Sequence, residues 1–467
     1  MNLGLSHALK GFIGIAVLVV ALIVIEPFAY STKVEASPCK NCNVILIMVD
    51  TLAAKHLKVY GYARDTMPRT EAFFKEHGTI FMHAYSQTSW TLPSFNSLFF
   101  SDVPTDITYA DLDNGRPRLQ SAIRDAGKHV RGLIIPPTFF ITETIKKSFK
   151  DAEVTDSFKE KLENLNGIKS VFPRWESEAA TSSIPYFGFI HSFRVHDPYA
   201  PDPADEELFE LNKLFPSKVT LEDLKNAQND KSTPEEKQAI VLRYDQTLRG
   251  ADAKLGAFFD SLSPETLAHT VIIMAADHGE AFGEHGLYWH GNSLFDELLH
   301  VPLFVYIPGV AAKTVSEPVG LYDIAPTVLD IMGVPIPKAF KGSSLLPAIE
   351  KGSDVRLAER IMPFEHGQPF YTTGKELINL ASQAASKPPL LEDFGAVGST
   401  QPLISQDSYG VRKGALKMVH SAKGLAAFDT EKDPEEKYNL LSSLGSLDVP
   451  TLFSLGEMYL ALEKLKL

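Results

Sequence analysis

A chain of 467 residues can bury a large core and hold one big α/β body plus a smaller unit. Its apolar fraction of 44% and charged fraction of 22% are those of an ordinary folded protein. A formal net charge of −13 argues against a binder of nucleic-acid backbone, which needs a basic face. It leaves room for an anionic small substrate, because a metal can reverse the field inside one pocket.

The first ten residues carry one lysine. The chain then runs without a charge through "GFIGIAVLVVALIVI", Gly11 to Ile25, until Glu26 and Pro27 end it. A membrane span needs roughly 20 apolar residues and a signal-peptide core roughly 7–15. Residues 1–36 therefore read as a signal peptide or a membrane anchor, with Ala29 and Ser31 as a mediocre cleavage site. Either way the chain is expected to be exported, and it meets a membrane through this segment if uncleaved. No Asn-x-Ser/Thr sequon occurs, which favours a bacterial cell envelope, inner-membrane anchored or periplasmic, over a eukaryotic secretory route. The only cysteines, Cys39 and Cys42, run straight into a strand, whereas a redox pair opens a helix. They read as a structural disulfide or two idle thiols.

"NVILIMV" (43–49) is a continuous apolar, β-branched run, the pattern of a buried parallel strand. "TMPRTEAFFKEHG" (66–78) predicts a helix and "TIFMHAY" (79–85) a strand. Further strands are expected at 129–136, 184–191, 270–276 and 301–308, with helical stretches between them. Alternation of this kind implies an α/β fold: a mostly parallel central sheet with helices on both faces. One long helix has a clear start, with Thr233 as N-cap, Pro234 in the first turn and Glu236 completing a capping box. Ile240, Val241, Tyr244, Leu248, Ala251, Leu255, Phe258 and Phe259 follow at helical spacing and form one buried stripe. The charged segment 201–232 before it reads as a surface excursion. After about residue 340 the short runs "SYGVRKGALKMVHS" and "GLAAFDT" suggest a small antiparallel sheet. The expected organisation is therefore 1–36, a body over 43–340 and a C-terminal subdomain over 341–467. A flexible loop is expected over 382–402, and segments 104–180 and 370–405 are expected to shape the pocket.

Two strands end in acids, the first at Asp50 and the 270–276 strand at Asp277, which His278 and Gly279 follow at once. Ligands of open parallel sheets sit just beyond the carboxyl ends of strands. If these strands are neighbours, Asp50, Asp277 and His278 converge, and two carboxylates with an imidazole can hold a divalent metal. Singly, each acid can equally cap the turn that follows it. In "SWTLPSFNS" (89–97), Thr91 precedes a stretch that can open a helix with Pro93 near its start. Its hydroxyl is either an N-cap, the commoner use, or a nucleophile in the positive potential of a helix N-terminus. His196, in "SFRVHDPYAP", and His285 and His290, in "GEHGLYWHGNS", lie in loops beyond strand ends. They suit donors to substrate oxygens or a general acid, or are solvated loop histidines.

Taken in order, these pieces resemble the sulfatase family of the alkaline-phosphatase superfamily. "NVILIMVDTLAAKHLKVYGY" is similar to its first strand and metal aspartate. "SQTSWTLPSFNSL" resembles its nucleophile motif and "HSFRVHDPYAP" its substrate-histidine loop. "ADHGEAFGEHGLYWHGNSLFDELLHVPLFVYIPG" carries its Asp-His metal pair. "LYDIAPTVLDIMGVPIP" and the stretch from "YGVRKGALKMVH" onward resemble its later helix and C-terminal subdomain. The resemblance spans roughly 43–442. It implies one divalent metal at Asp50, Thr91, Asp277 and His278, and substrate contacts from His196 and His290; Lys417 matches a family lysine and is either a further substrate contact or, in its amphipathic strand, structural. The nitrogen ligand favours manganese or zinc over magnesium or calcium.

The departures bear on chemistry. Formylglycine sulfatases carry Cys or Ser at the Thr91 position and Arg four residues later, where this chain has Phe95. Many relatives have Arg at the position of Ala53, and some a second acid at that of Thr51. An oxidised Cys or Ser gives an aldehyde hydrate with two hydroxyls, one sulfated and one free to expel the sulfate. Threonine has one hydroxyl and no such release route, whereas a phosphorylated threonine can be attacked at phosphorus by water or an alcohol. In this slot threonine resembles the phosphoethanolamine and phosphoglycerol transferases. The resemblance therefore implies phosphoryl transfer or hydrolysis through Thr91 on a small or lipid- or glycan-linked anionic ester, with no nucleic-acid partner. A sulfuric ester hydrolase and a catalytically weak binding protein are the alternatives.

Overall fold

The computed structural model describes residues 39, 42–107, 116–134, 153–154, 158–209, 218–366 and 408–465. The apolar run within 1–36, the loop expected at 382–402 and the segment 370–405 lie outside the described residues, and 104–180 is described in part. No helix among the described residues is long and apolar enough to cross a membrane. Cys39 and Cys42 are joined as a disulfide.

The sheet strands are β1 (Asn43–Val49), β2 (Thr79–Tyr85), β3 (His129–Ile134), β4 (Glu153–Val154), β5 (Tyr186–Ser192) and β6 (Thr270–Ala275). A short hairpin, β7 (Ala281–Phe282) and β8 (Tyr288–Trp289), stands apart. The strands β9 (His300–Tyr306), β10 (Lys313–Val315) and β11 (Val319–Gly320) complete a nine-stranded sheet. Its order is β10-β2-β9-β6-β1-β5-β3-β4, with β11 beside β2. The expectation of a mostly parallel sheet is modified at one strand: β9 runs antiparallel to both β2 and β6. Strand β1 is central and buried along its whole length, which its unbroken apolar sequence requires. Each fully buried aliphatic side chain in it contributes about 1.5–3 kcal/mol.

Register places the site. Met48 pairs with His191 and Val49 with Ser192 on one side, and Met48 pairs with Ala275 on the other. Strands β1, β5 and β6 thus end level with one another. Asp50, His191 and Asp277 are brought to the same edge, and Asp50 N–H donates to the Ser192 carbonyl at 2.8 Å.

The helices include α1 (Pro68–His77), α2 (Thr91–Phe100), α3 (Phe158–Ser182) and α4 (Pro234–Phe259). Helix α4 has the expected start: Thr233 accepts from Glu236 N–H, and Glu236 from Thr233 N–H. The single apolar stripe is a correction. Every residue from Leu242 to Leu248 is buried, including Arg243, Asp245, Gln246 and Thr247, while Val241 is half-exposed. The segment 201–209 lies over the polar side of the helix and takes its hydrogen bonds, with Gln246 donating to the Glu206 and Leu208 carbonyls. That segment, expected as a surface excursion, is a cover.

The C-terminal part is a four-stranded antiparallel sheet: β12 (Met362–His366), β13 (Ser408–Lys413), β14 (Leu416–Ser421) and β15 (Gly424–Asp429). Helix α5 (Val449–Leu465) packs on it through Leu455, Met458 and Leu462. The subdomain meets the body beside the loop after β2, where Glu365 N–H donates to the Gln87 carbonyl.

Tyr244 links α4 to the loop after β1. Its hydroxyl donates to the Thr51 carbonyl at 2.8 Å and accepts from Ala53 N–H at 3.0 Å, all buried. Tyr244→Phe leaves a buried carbonyl and a buried N–H without a partner, so it should destabilise the chain by about 1–3 kcal/mol. Urea denaturation monitored by circular dichroism checks this; an unchanged midpoint would mean that water or a shifted backbone satisfies both groups.

Candidate metal centre and active site

The site is built on three loops, those that follow β1, β2 and β6. The first turns sharply. Thr51 has φ of +58°, a left-handed conformation that a β-branched residue adopts only when its surroundings impose it. Tyr244 holds its carbonyl, and its N–H donates to Asp277 Oδ1 at 3.2 Å.

The second loop carries Asp277, His278 and Gly279. The backbone N–H of His278 also donates to Asp277 Oδ1, at 3.0 Å. Gly279 is there for close approach as much as for a turn: a Cβ on it would lie 2.2 Å from the Glu297 carbonyl oxygen.

The third loop delivers Thr91. Of the two readings of Thr91, the N-cap is not the one adopted: Trp90 is the N-cap, Thr91 the first residue of α2, and Pro93, expected near the first position, the third. The serine after the proline explains the placement. Ser94 Oγ donates to the Asp277 carbonyl at 2.6 Å, which pins the first turn of α2 to the end of β6. Thr91 Oγ1 then lies 3.2 Å from His278 Nε2.

Asp50, Asp277 and His278 come together, with one ligand atom of each within 4.8 Å of the others. All three are fully buried. Asp277 Oδ1 takes two backbone N–H groups, while Oδ2 has no hydrogen-bond partner. Asp50 Oδ2 takes His191 Nε2 at 3.0 Å, while Oδ1 has none. His278 Nδ1 lies 2.9 Å from the Gly279 carbonyl and so carries the proton, which leaves Nε2 as a lone pair. Two carboxylate oxygens without a hydrogen-bond partner thus lie close to His278 Nε2, whose hydrogen-bond partner among the described residues is the Thr91 hydroxyl. A buried cluster of acceptors of this kind is the environment a divalent cation satisfies. The electrostatics agree. Burial and the charge on Asp50 push Asp277 up to about 6. Burial raises Asp50 too, but the His191 hydrogen bond and the imidazoles of His196, His191 and His278 hold it below the usual carboxylate range.

The two loop histidines reach the same place. His290 lies 4.4 Å from His278 and 5.0 Å from His196, ring centre to ring centre. Glu280 fixes His290: its Oε1 lies 3.0 Å from Nδ1, and its Oε2 accepts from Tyr199 at 2.8 Å. Burial pushes Glu280 up and His290 down, so both lean toward their neutral forms. His196 has Nδ1 against Asp197, whose Oδ1 also accepts from Trp289 Nε1 at 2.9 Å. His285 turns away, stacking on Phe295 and pairing with Glu297. The sequence reading missed His191, Glu280 and Tyr199. "DHGE" contains Glu280 in plain view, but only the fold shows that it backs His290 and not a metal.

Lys417 is the correction to the expected substrate contacts. It is fully buried in β14, 2.7 Å from both Asp296 Oδ1 and Glu436 Oε1. Arg412 pairs with the same Asp296 and lies over the Tyr85 ring at 3.8 Å. The ammonium is thus committed to the joint between body and subdomain. Against the upward push of burial, Arg412 and Lys417 hold Asp296 far below the usual range. Glu436 goes the other way, pushed up to about 7 by burial despite Lys417.

A carboxyl raised in the folded state stabilises most below its unfolded value of about 4.3 and loses that contribution as pH rises toward 7. The melting temperature should therefore fall between about pH 5 and 7.5, and Glu436→Gln should flatten that fall. Differential scanning calorimetry across this range decides it; a slope that the substitution leaves unchanged would remove Glu436 from the account.

A family model described as Sulfatase matches residues 42–334. Choline-sulfatase of Rhizobium meliloti (strain 1021) is 27% identical over 234 residues, which is 50% of this chain and 39% of that protein. The chain spans at most about two-fifths of the length of the first curated relatives it matches. Among solved structures, a protein in complex with its substrate D-glucosamine-2-N,6-O-disulfate superposes with a TM-score of 0.68 at 17% identity, over 91% of this chain and 98% of that one. The phosphonate monoester hydrolase of Agrobacterium radiobacter gives 0.66 at 18% identity, over 91% and 96%. At these identities the likeness of the solved structures is one of fold.

Proposed function

This chain belongs to the sulfatase family, and we propose that it is a metal-dependent hydrolase or transferase of anionic esters in which Thr91 is the nucleophile and phosphate-type esters are the substrates. One observation carries this reading: a threonine hydroxyl lies 3.2 Å from His278 Nε2, in the cluster where Asp50 and Asp277 each have an oxygen without a hydrogen-bond partner.

The family uses a metal ion, and Asp50, Asp277, His278 and the Thr91 oxygen would hold it, with manganese or zinc favoured by the nitrogen ligand. Such an ion would lower the pKa of the Thr91 hydroxyl and offset charge on the transferred group. The protein's own residues do the rest. Thr91 Oγ1 gives its proton to the neutral imidazole of His196 or His290, the latter oriented by Glu280, and attacks phosphorus as the ester P–O bond breaks; the departing oxygen takes the proton from the imidazolium so formed. Water or an alcohol then attacks phosphorus, the P–O bond to Thr91 breaks and the hydroxyl is restored. The free N–H groups at the start of α2 supply positive potential where the phosphate would sit.

Small or lipid- or glycan-linked anionic esters fit such a site. The disulfide at Cys39 and Cys42 supports an exported, envelope location with residues 1–36 as leader or anchor. Sulfate esters are the second reading, favoured by the choline-sulfatase match. Both ester chemistries are named among proteins of this fold.

The test is turnover of bis(p-nitrophenyl) phosphate, p-nitrophenyl phenylphosphonate and p-nitrophenyl sulfate by the full-length chain with Mn²⁺. Phosphodiester or phosphonate turnover should dominate and fall at least about 10³-fold in Thr91→Ala, with partial activity kept in Thr91→Ser. Faster turnover of the sulfate would transfer the assignment to sulfate esters. Mn²⁺ binding without turnover of any ester would make the chain a binding protein.

A further inference from the structure

We propose that His191 is a positioning residue for the metal centre: it clamps one oxygen of Asp50 and so fixes which oxygen faces the ion. The inference rests on the reading of Asp50, Asp277 and His278 as metal ligands.

The two carboxylates are held in different ways. Asp277 is oriented by backbone, with Oδ1 tied to the N–H groups of Thr51 and His278 and Oδ2 left bare. Among the described residues no backbone N–H donates to the Asp50 carboxylate. Its own N–H goes to the Ser192 carbonyl, and His191 Nε2, 3.0 Å from Oδ2, is the one donor to its carboxylate among the described residues. Without that bond the carboxylate is free to rotate about its last torsion and present either oxygen.

The tautomer is fixed by the surroundings. His191 Nδ1 is buried with no hydrogen-bond partner among the described residues, so a proton placed there would be stranded. The proton therefore sits on Nε2 and points at Asp50. The ring cannot swing away. Phe95 packs on it at 4.6 Å and 89°, Phe193 at 4.8 Å, and Phe189 stacks at 6.4 Å. Phe95 stands where the family resemblance leads one to expect arginine. In this chain the position holds the imidazole in place instead of supplying a cation.

The test is isothermal titration of MnCl₂ into chelator-stripped full-length protein, for the wild type and for His191→Gln, His191→Asn and His191→Leu. The amide nitrogen of glutamine reaches the place of Nε2, whereas that of asparagine stops at the place of Nδ1. Loss of the supporting partner of a metal ligand typically costs 10–100-fold in affinity, so His191→Leu and His191→Asn should weaken Mn²⁺ binding by about that factor while His191→Gln stays within about threefold. Circular dichroism melts identify any variant that fails to fold. Equal affinities for the two amides, or wild-type affinity in His191→Leu, overturn the proposal. So does a His191→Gln chain that does not fold, because it retains the donor. No Mn²⁺ binding by the wild type sinks the metal reading itself and is distinguishable from these results.

Discussion

Two buried carboxylates at the ends of neighbouring parallel strands are the constraint on which the site depends. Asp50 and Asp277 have ligand atoms within 4.8 Å of each other and no exposure. Like charges that close repel by about 3 kcal/mol even at an effective dielectric near 20. The fold must therefore hold them against each other. The level register of β1 and β6 sets their positions, Tyr244 clamps the turn after Asp50, and Gly279 lets the next loop pass against Glu297. Thr51 accepts a left-handed backbone as part of that cost. A cation between the two acids would convert the repulsion into attraction, and the strain that weakens the chain alone would then become binding energy for the ion.

Among the described residues, three cations are taken up by ion pairs. Lys55 pairs with Glu284, Arg194 with Asp202, and Lys417 with Asp296 and Glu436. Each has been read into structure and not into the site. On the proposed reading an anionic ester would be neutralised, among the described residues, by the ion that Asp50, Asp277 and His278 would hold, the start of α2, and the imidazoles of His196 and His290. This division matches the net charge of −13, which gives no long-range attraction to anions.

The parts of this picture legible in the sequence were those set by local pattern. The unbroken apolar run of β1 announced a central strand, and the Thr233–Glu236 box announced the start of α4. Asp50 and Asp277 were readable as a pair because strand ends in a parallel sheet lie on one edge. What stayed hidden depended on contacts distant in the chain. His191 appeared as one more residue of a strand; only its pairing opposite Met48 reveals that it faces Asp50. Glu280 carried no signal of its own beside Asp277 and His278, yet it lies against Tyr199 and His290. Lys417 matched a family lysine, and nothing in "GALKMVH" tells that Asp296 and Glu436 close over it. The polar residues buried on α4 were likewise invisible, because their cover comes from a loop some 40 residues earlier.

The choice between ester chemistries turns on how a covalent intermediate would leave. A second hydroxyl beside the nucleophile could expel a sulfate from within, and the neighbours of Thr91 offer two serines. Neither serves. Ser94 donates to the Asp277 carbonyl, and Ser89 lies 3.2 Å from His366 Nδ1 on the subdomain strand β12. Both belong to adjacent residues' support, and neither shares a carbon with the Thr91 oxygen, as the two hydroxyls of an aldehyde hydrate do. On the proposed reading, release of an intermediate on Thr91 would come by attack on the transferred atom from outside, a path that phosphorus would support through in-line displacement with retention of the Thr91 C–O bond.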